Sequence, residues 1–224
     1  MKIKPILIVS GEPKSVFFEI FFKSLKSVKY KSPLILICNL HNFKQEIKKF
    51  NFKKKYKVLS TSNLKKNEID NKQLNLIDIA SKKFSKRNFN TRSSKKYISD
   101  SFKLAFKLIK NGLTNKLLNG PINKIKFLDN KHLGVTEYIA EHFNEKKIGM
   151  LIYNKKLSVC PLTTHLPLKL VSKKITKKLI IEKIRLIDSF YKKNFKFKPK
   201  IGVTGLNPHC ESVLKFNEDK KIVL

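Results

Sequence analysis

Two histidines stand where short apolar runs give way to polar loops: His165 in TTHLPL at 163–168, and His209 in GLNPH at 205–209. The runs ahead of them, 157–162 and 200–204, read as strands, and the loop after a strand is where open α/β sheets place ligand-binding groups. Neutral imidazoles delivered by neighbouring strand ends can share a divalent ion, with Thr163, Thr164 and Asn207 orienting the rings or the substrate. Two ligands do not close a site, so this pairing predicts an open, catalytic ion completed by substrate, water or another segment. The competing reading of His165 and His209 is two structural histidines with satisfied hydrogen bonds. His41 and His142 read as surface positions on helices. Cys38, Cys160 and Cys210 are odd in number and never spaced CxxC, which supports neither a disulfide framework nor a zinc finger.

A layered α/β scaffold is expected to position these groups, because β-rich runs alternate with helical periodicity. Strands are predicted at 5–10, 34–38, 56–60, 148–153 and 157–162. Helices are predicted at 15–28, 41–50, 97–110, 136–143 and 176–195. In the first helix Val16, Ile20 and Leu25 supply the apolar face. In the third, Phe102, Ala105, Phe106, Leu108 and Ile109 do so, and Gly112 ends it. Thr176 is the expected cap of the last helix, whose stripe runs through Leu179, Ile180, Ile184, Ile187 and Tyr191. The polar stretch 61–96, interrupted only at 74–80, reads as a loop or an excursion at the sheet edge. Glu137 reads as a helix-capping carboxylate, and Lys124 as a contact to backbone.

The chain has 224 residues, 41% of them hydrophobic, enough for one large domain or two small ones. No apolar run reaches the length of a membrane span, and a cytoplasmic enzyme is the default. The formal charge of +34 invites a polyanion partner, but only three of the 50 basic residues are arginine. The lysines spread over the whole chain with abundant Asn and Ile, as a coding bias would leave them, so nucleic acid is not expected as a partner. The same charge would steer an anionic small molecule toward the surface.

The blocks GEP followed by Glu19, NGPINK at 119–124, GVTEYIA at 134–140, MLIYNKKLSV at 150–159, TTHLPLKLV and GLNPH occur in one order across most of the chain. In that order and spacing the chain resembles the 4-hydroxythreonine-4-phosphate dehydrogenase family of pyridoxal phosphate biosynthesis. The resemblance implies a two-lobed α/β/α fold like that of the isocitrate and isopropylmalate dehydrogenases, with a mostly parallel sheet. The expected lobes are 1–125 and 126–224, the second carrying the histidines. It also implies a homodimer whose site is shared between subunits. The implied reaction oxidises 4-phosphooxy-L-threonine, a phosphorylated small molecule, with NAD or NADP, and the product loses carbon dioxide. A divalent metal ion (zinc, magnesium or cobalt) would stabilise the negative oxygen in both steps.

The family's metal histidines fall here on His165 and His209, and a substrate-contacting threonine falls on Thr136, expected as a helix N-cap. The resemblance also has departures. Val135 replaces a substrate-contacting histidine, with His132 three residues earlier. Glu12 replaces an aspartate, Lys14, Ser15 and Phe17 replace small residues, and Asn119 replaces a threonine. The family continues for roughly another third of its length, so the chain is expected to be C-terminally incomplete and to lack a third metal histidine. Two alternatives stand beside the main reading: a related dehydrogenase of a four-carbon sugar acid phosphate, and a noncatalytic basic binding protein on the same fold.

Overall fold

A computed structural model of the chain describes residues 3–62, 64, 69–79, 91–129 and 131–206, which fall into two compact units, Met1–Asp129 and Asn130–Leu224. The first unit is built on a five-stranded sheet of β1 (Ile6–Val9), β2 (Leu34–Cys38), β3 (Tyr56–Val58), β4 (Leu74–Asp78) and β5 (Leu117–Asn119). Its strand order is β3-β4-β2-β1-β5 and every pairing is parallel, as the alternating pattern predicts. Central strand β2 is buried along its whole length, the mark of a strand covered on both faces.

Alternate side chains of the strands serve the two faces. Ile8, Leu34, Leu36, Leu74 and Leu76 join helices α1 (Phe17–Ser27) and α2 (Leu40–Lys49) in one cluster with Phe18, Phe22 and Phe43. Helix α3 (Thr91–Lys110) covers the opposite face, where Tyr97, Ile98, Phe102, Ala105 and Phe106 recur at helical spacing and are buried. Burying each such phenylalanine contributes roughly 1.5–3 kcal/mol. Asn39 caps α2, its side chain accepting from the Asn42 amide at 3.0 Å. Gly112 ends α3 at φ 75°, with its amide on the Ile109 carbonyl.

Three expectations about this unit are corrected. The 61–96 stretch contains β4, an interior strand rather than an edge excursion. Asp70 and Asn75 fasten its start: Asp70 Oδ1 accepts from the Lys72 amide at 2.8 Å, which holds its carboxyl below the usual range, and Asn75 Nδ2 donates to the Leu34 and Asp70 carbonyls. Helix α3 already includes Thr91, six residues before the first strongly apolar position, since the turns ahead of Tyr97 are polar and carry no hydrophobic signal. On α1 the core face is Phe17, Phe18, Phe21 and Phe22, while Val16 and Ile20 are 57% and 58% exposed. The phenylalanines win the core because they bury more area per residue. Ile20 and Leu25 instead line a groove of about 300 Å³ between α1, β1 and β5.

At the carboxyl end of the sheet, the GEP turn and the NGP turn cross in backbone contact. A Cβ on Gly120 would lie 2.2 Å from the Ser10 carbonyl oxygen, and one on Gly11, at φ 75°, would lie 2.4 Å from that of Pro121. Glu12 locks the crossing: its amide donates to the Pro121 carbonyl at 2.8 Å, and its carboxylate accepts from Ser94 Oγ at 2.7 Å. Close backbone approach therefore survives with Lys14 in the turn and Phe17 at the start of α1, because Gly11 and Gly120 stand where the two turns touch.

The second unit contains α5 (Val135–His142), α6 (Leu168–Lys174) and α7 (Lys177–Phe195), and α4 (Lys124–Leu128) closes the first. Short helices α4 and α6 carry too few apolar positions for periodicity to show them. The strands expected at 148–153 and 157–162 reduce to one antiparallel bridge, Ile152 with Val159, and 200–204 forms no strand. Extended backbone becomes a ladder only where a partner strand lies alongside, and none does so among the described residues. The turn between the bridged segments is held by Ser158, whose Oγ accepts from the Asn154 amide and from the Tyr191 hydroxyl.

Candidate functional site

Helix α7 begins as its sequence suggests, with Thr176 Oγ1 accepting from the Leu179 amide at 3.2 Å. Of its expected stripe, Ile180 and Tyr191 are buried. Ile180, Ile184, Val159, Cys160, Thr163 and Thr204 help line a cavity of about 530 Å³. Lys183 crosses beside it to donate to the Ile148 carbonyl. The cavity is mainly apolar, with Thr163 two residues ahead of His165.

His165 is exposed and its backbone is left-handed, φ 56°, a conformation that disfavours most L residues. Its Nε2 comes within 3.9 Å of the position a Cβ would take on Gly134, so the TTHLPL loop meets the amino end of α5. Gly134, not Thr136, is the N-cap residue. The extended backbone of Gly134 leaves the helix there, which makes Thr136 the second helical residue, with an exposed side chain. The structure thus places Thr136 and His165 at one helix end. His209, like Asn207 and Cys210, lies outside the described residues.

His132 does not take the place of the missing histidine at 135. Its Nδ1 lies 3.1 Å from Glu141 Oε2, and its ring sits edge-on against Tyr138. His41 is exposed on α2 and contacts Gln45, and His142 is exposed at the end of α5, as the sequence suggests. Glu137, expected as a cap, also reaches this helix end. Its Oε2 lies 2.8 Å from the same Gly134 Cβ position that His165 approaches. The signal for this in the sequence is the spacing of Gly134 and Glu137, three apart across a helix start.

Among the described residues no group of three or more His, Cys, Asp or Glu side chains is gathered as a metal centre. The donor types bordering Gly134, an imidazole and a carboxylate, nevertheless fit a borderline divalent ion. Buried groups elsewhere are structural. Burial pushes the Cys38 thiol and the Tyr97 hydroxyl well above their usual pKa ranges. Tyr97 is held by Ser10 Oγ at 2.8 Å and by the Asn39 amide at 3.1 Å. No described helix is long and apolar enough to cross a membrane.

The sequence profile of the family described as pyridoxal phosphate biosynthetic protein PdxA matches residues 21–224. The 4-hydroxythreonine-4-phosphate dehydrogenase of Aquifex aeolicus is 31% identical over 209 residues, covering 92% of this chain and 64% of that protein. The enzyme of the same name from Sulfurihydrogenibium sp. is 41% identical over 112 residues, covering 48% of this chain and 35% of that protein. The chain therefore spans between about a third and two thirds of the length of these curated relatives. A crystal structure of 4-hydroxythreonine-4-phosphate dehydrogenase from Klebsiella pneumoniae superposes with a TM-score of 0.79 at 21% identity. That match covers 98% of this chain and 69% of that one and shows a shared fold.

Proposed function

Because the chain belongs to the pyridoxal phosphate biosynthetic protein PdxA family, we propose that it carries the activity of the relatives it matches. In this reading the protein oxidises 4-phosphooxy-L-threonine with NAD or NADP, the product then loses carbon dioxide, and the reaction takes place in the cytoplasm. The match across residues 21–224 is the observation that carries this reading. In it His165 and His209 ligate a divalent ion, Thr136 contacts the substrate, and two copies of the chain share each site. A bound ion supplies charge stabilisation for the oxygen that turns negative in each step. Thr136 contributes a hydroxyl in the first turn of α5, and the His165 imidazole approaches Gly134 at the same helix end. The lysine-rich surface draws the phosphorylated substrate in.

The test is formation of reduced cofactor, followed by absorbance, with 4-phosphooxy-L-threonine, a divalent ion and either NAD or NADP. Turnover is expected with the full-length protein. His165→Ala should lower it by at least about 100-fold, the scale of losing several kcal/mol of charge stabilisation. No reduced cofactor from the full-length protein overturns the reading. Turnover only with a four-carbon sugar acid phosphate replaces the substrate but keeps the reaction.

A further inference from the structure

Gly134 is buried at the amino end of α5, and it keeps a point open that two side chains border from different segments. A Cβ there would stand 2.8 Å from Glu137 Oε2 and 3.9 Å from His165 Nε2. A helix amino end of this kind would ordinarily attract an anion. Here the Glu137 carboxylate, from the third helical position, already reaches that end. What remains facing the niche is a carboxylate oxygen and an imidazole nitrogen. Acceptors of that kind suit a cation or a hydrogen-bond donor and repel a phosphate.

We propose that Glu137 is a positioning residue for the divalent ion assigned to His165, its carboxylate facing that ion directly or through a water molecule it orients. This rests on the reading of His165 as a metal ligand. Carboxylate oxygen and imidazole nitrogen together form a common donor set for such ions. The other acid on this side of α5, Glu141, is engaged by His132 and supplies an internal control.

The experiment is titration of the purified chain with Co²⁺, read by the visible absorption bands that report the ion's ligand set. Glu137→Gln retains a side chain able to cap α5, and circular dichroism checks that helix content is kept. This variant should weaken Co²⁺ binding by about tenfold or more, the usual scale for an outer-shell partner of a metal ligand. It should also shift the bands, while Glu141→Gln leaves both unchanged. Unaltered affinity and bands in Glu137→Gln, with binding lost in His165→Ala, would overturn this proposal and leave the metal reading standing. Absence of Co²⁺ uptake by the unsubstituted chain, or uptake indifferent to His165→Ala, would remove both.

Discussion

In the first unit β2 is buried from end to end and helices cover both faces of the sheet, whereas in the second unit Ala140, Ile180 and Tyr191 are the buried apolar residues among those described. The candidate chemistry lies in the second unit, on a helix end and on a loop with one left-handed backbone position at His165. Stability and chemistry thus draw on different physics. The first unit depends on area removed from water. The second depends on a few directed contacts, each replaceable only by a group of the same geometry.

Truncating a buried aromatic separates the two most sharply. Phe102 is fully buried between Phe106 and Phe127, with ring centroids at 5.5 and 5.8 Å. Phe102→Ala should destabilise the first unit by about 3–5 kcal/mol in denaturant titrations. Phe190→Ala in the second unit, where the ring is 44% exposed, should cost less than about 1 kcal/mol. Equal losses would erase the contrast. A middle-sized effect is expected from Tyr97→Phe, which removes the buried hydroxyl that bonds Ser10 Oγ and accepts from the Asn39 amide. That variant should lose about 1–3 kcal/mol, with faster hydrogen exchange at the start of α2 as the local signature. The smallest is Thr176→Ala, which removes the α7 cap and should lower stability by about 1 kcal/mol. Thr176→Ser should restore it, and equal melting of all three chains would show that the second unit does not depend on this cap.

The same division explains what could be read in the sequence. Strands β1 and β2 and helices α2, α3 and α7 were legible because long apolar periodicity reports a core. Strand β4 was hidden by the polar residues around it, including Asn75, whose buried amide serves two carbonyls. Short α4 and α6 had no room for a period. The apolar runs at 148–153 and 157–162 looked like strands because β-rich composition records local preference and not the presence of a neighbour to pair with. For the site, the resemblance named Thr136 and His165 separately, but no pattern could state that Gly134 is the cap or that Glu137 Oε2 and His165 Nε2 both approach it. Such facts depend on a helix start, and one residue's shift there changes which groups meet.

The left-handed backbone at position 165 has an evolutionary cost. Glycine or asparagine would rest there more easily than histidine does. A laboratory lineage selected only for heat resistance would therefore be drawn toward discarding the imidazole. Selection for thermal endurance and retention of this side chain pull that loop in opposite directions.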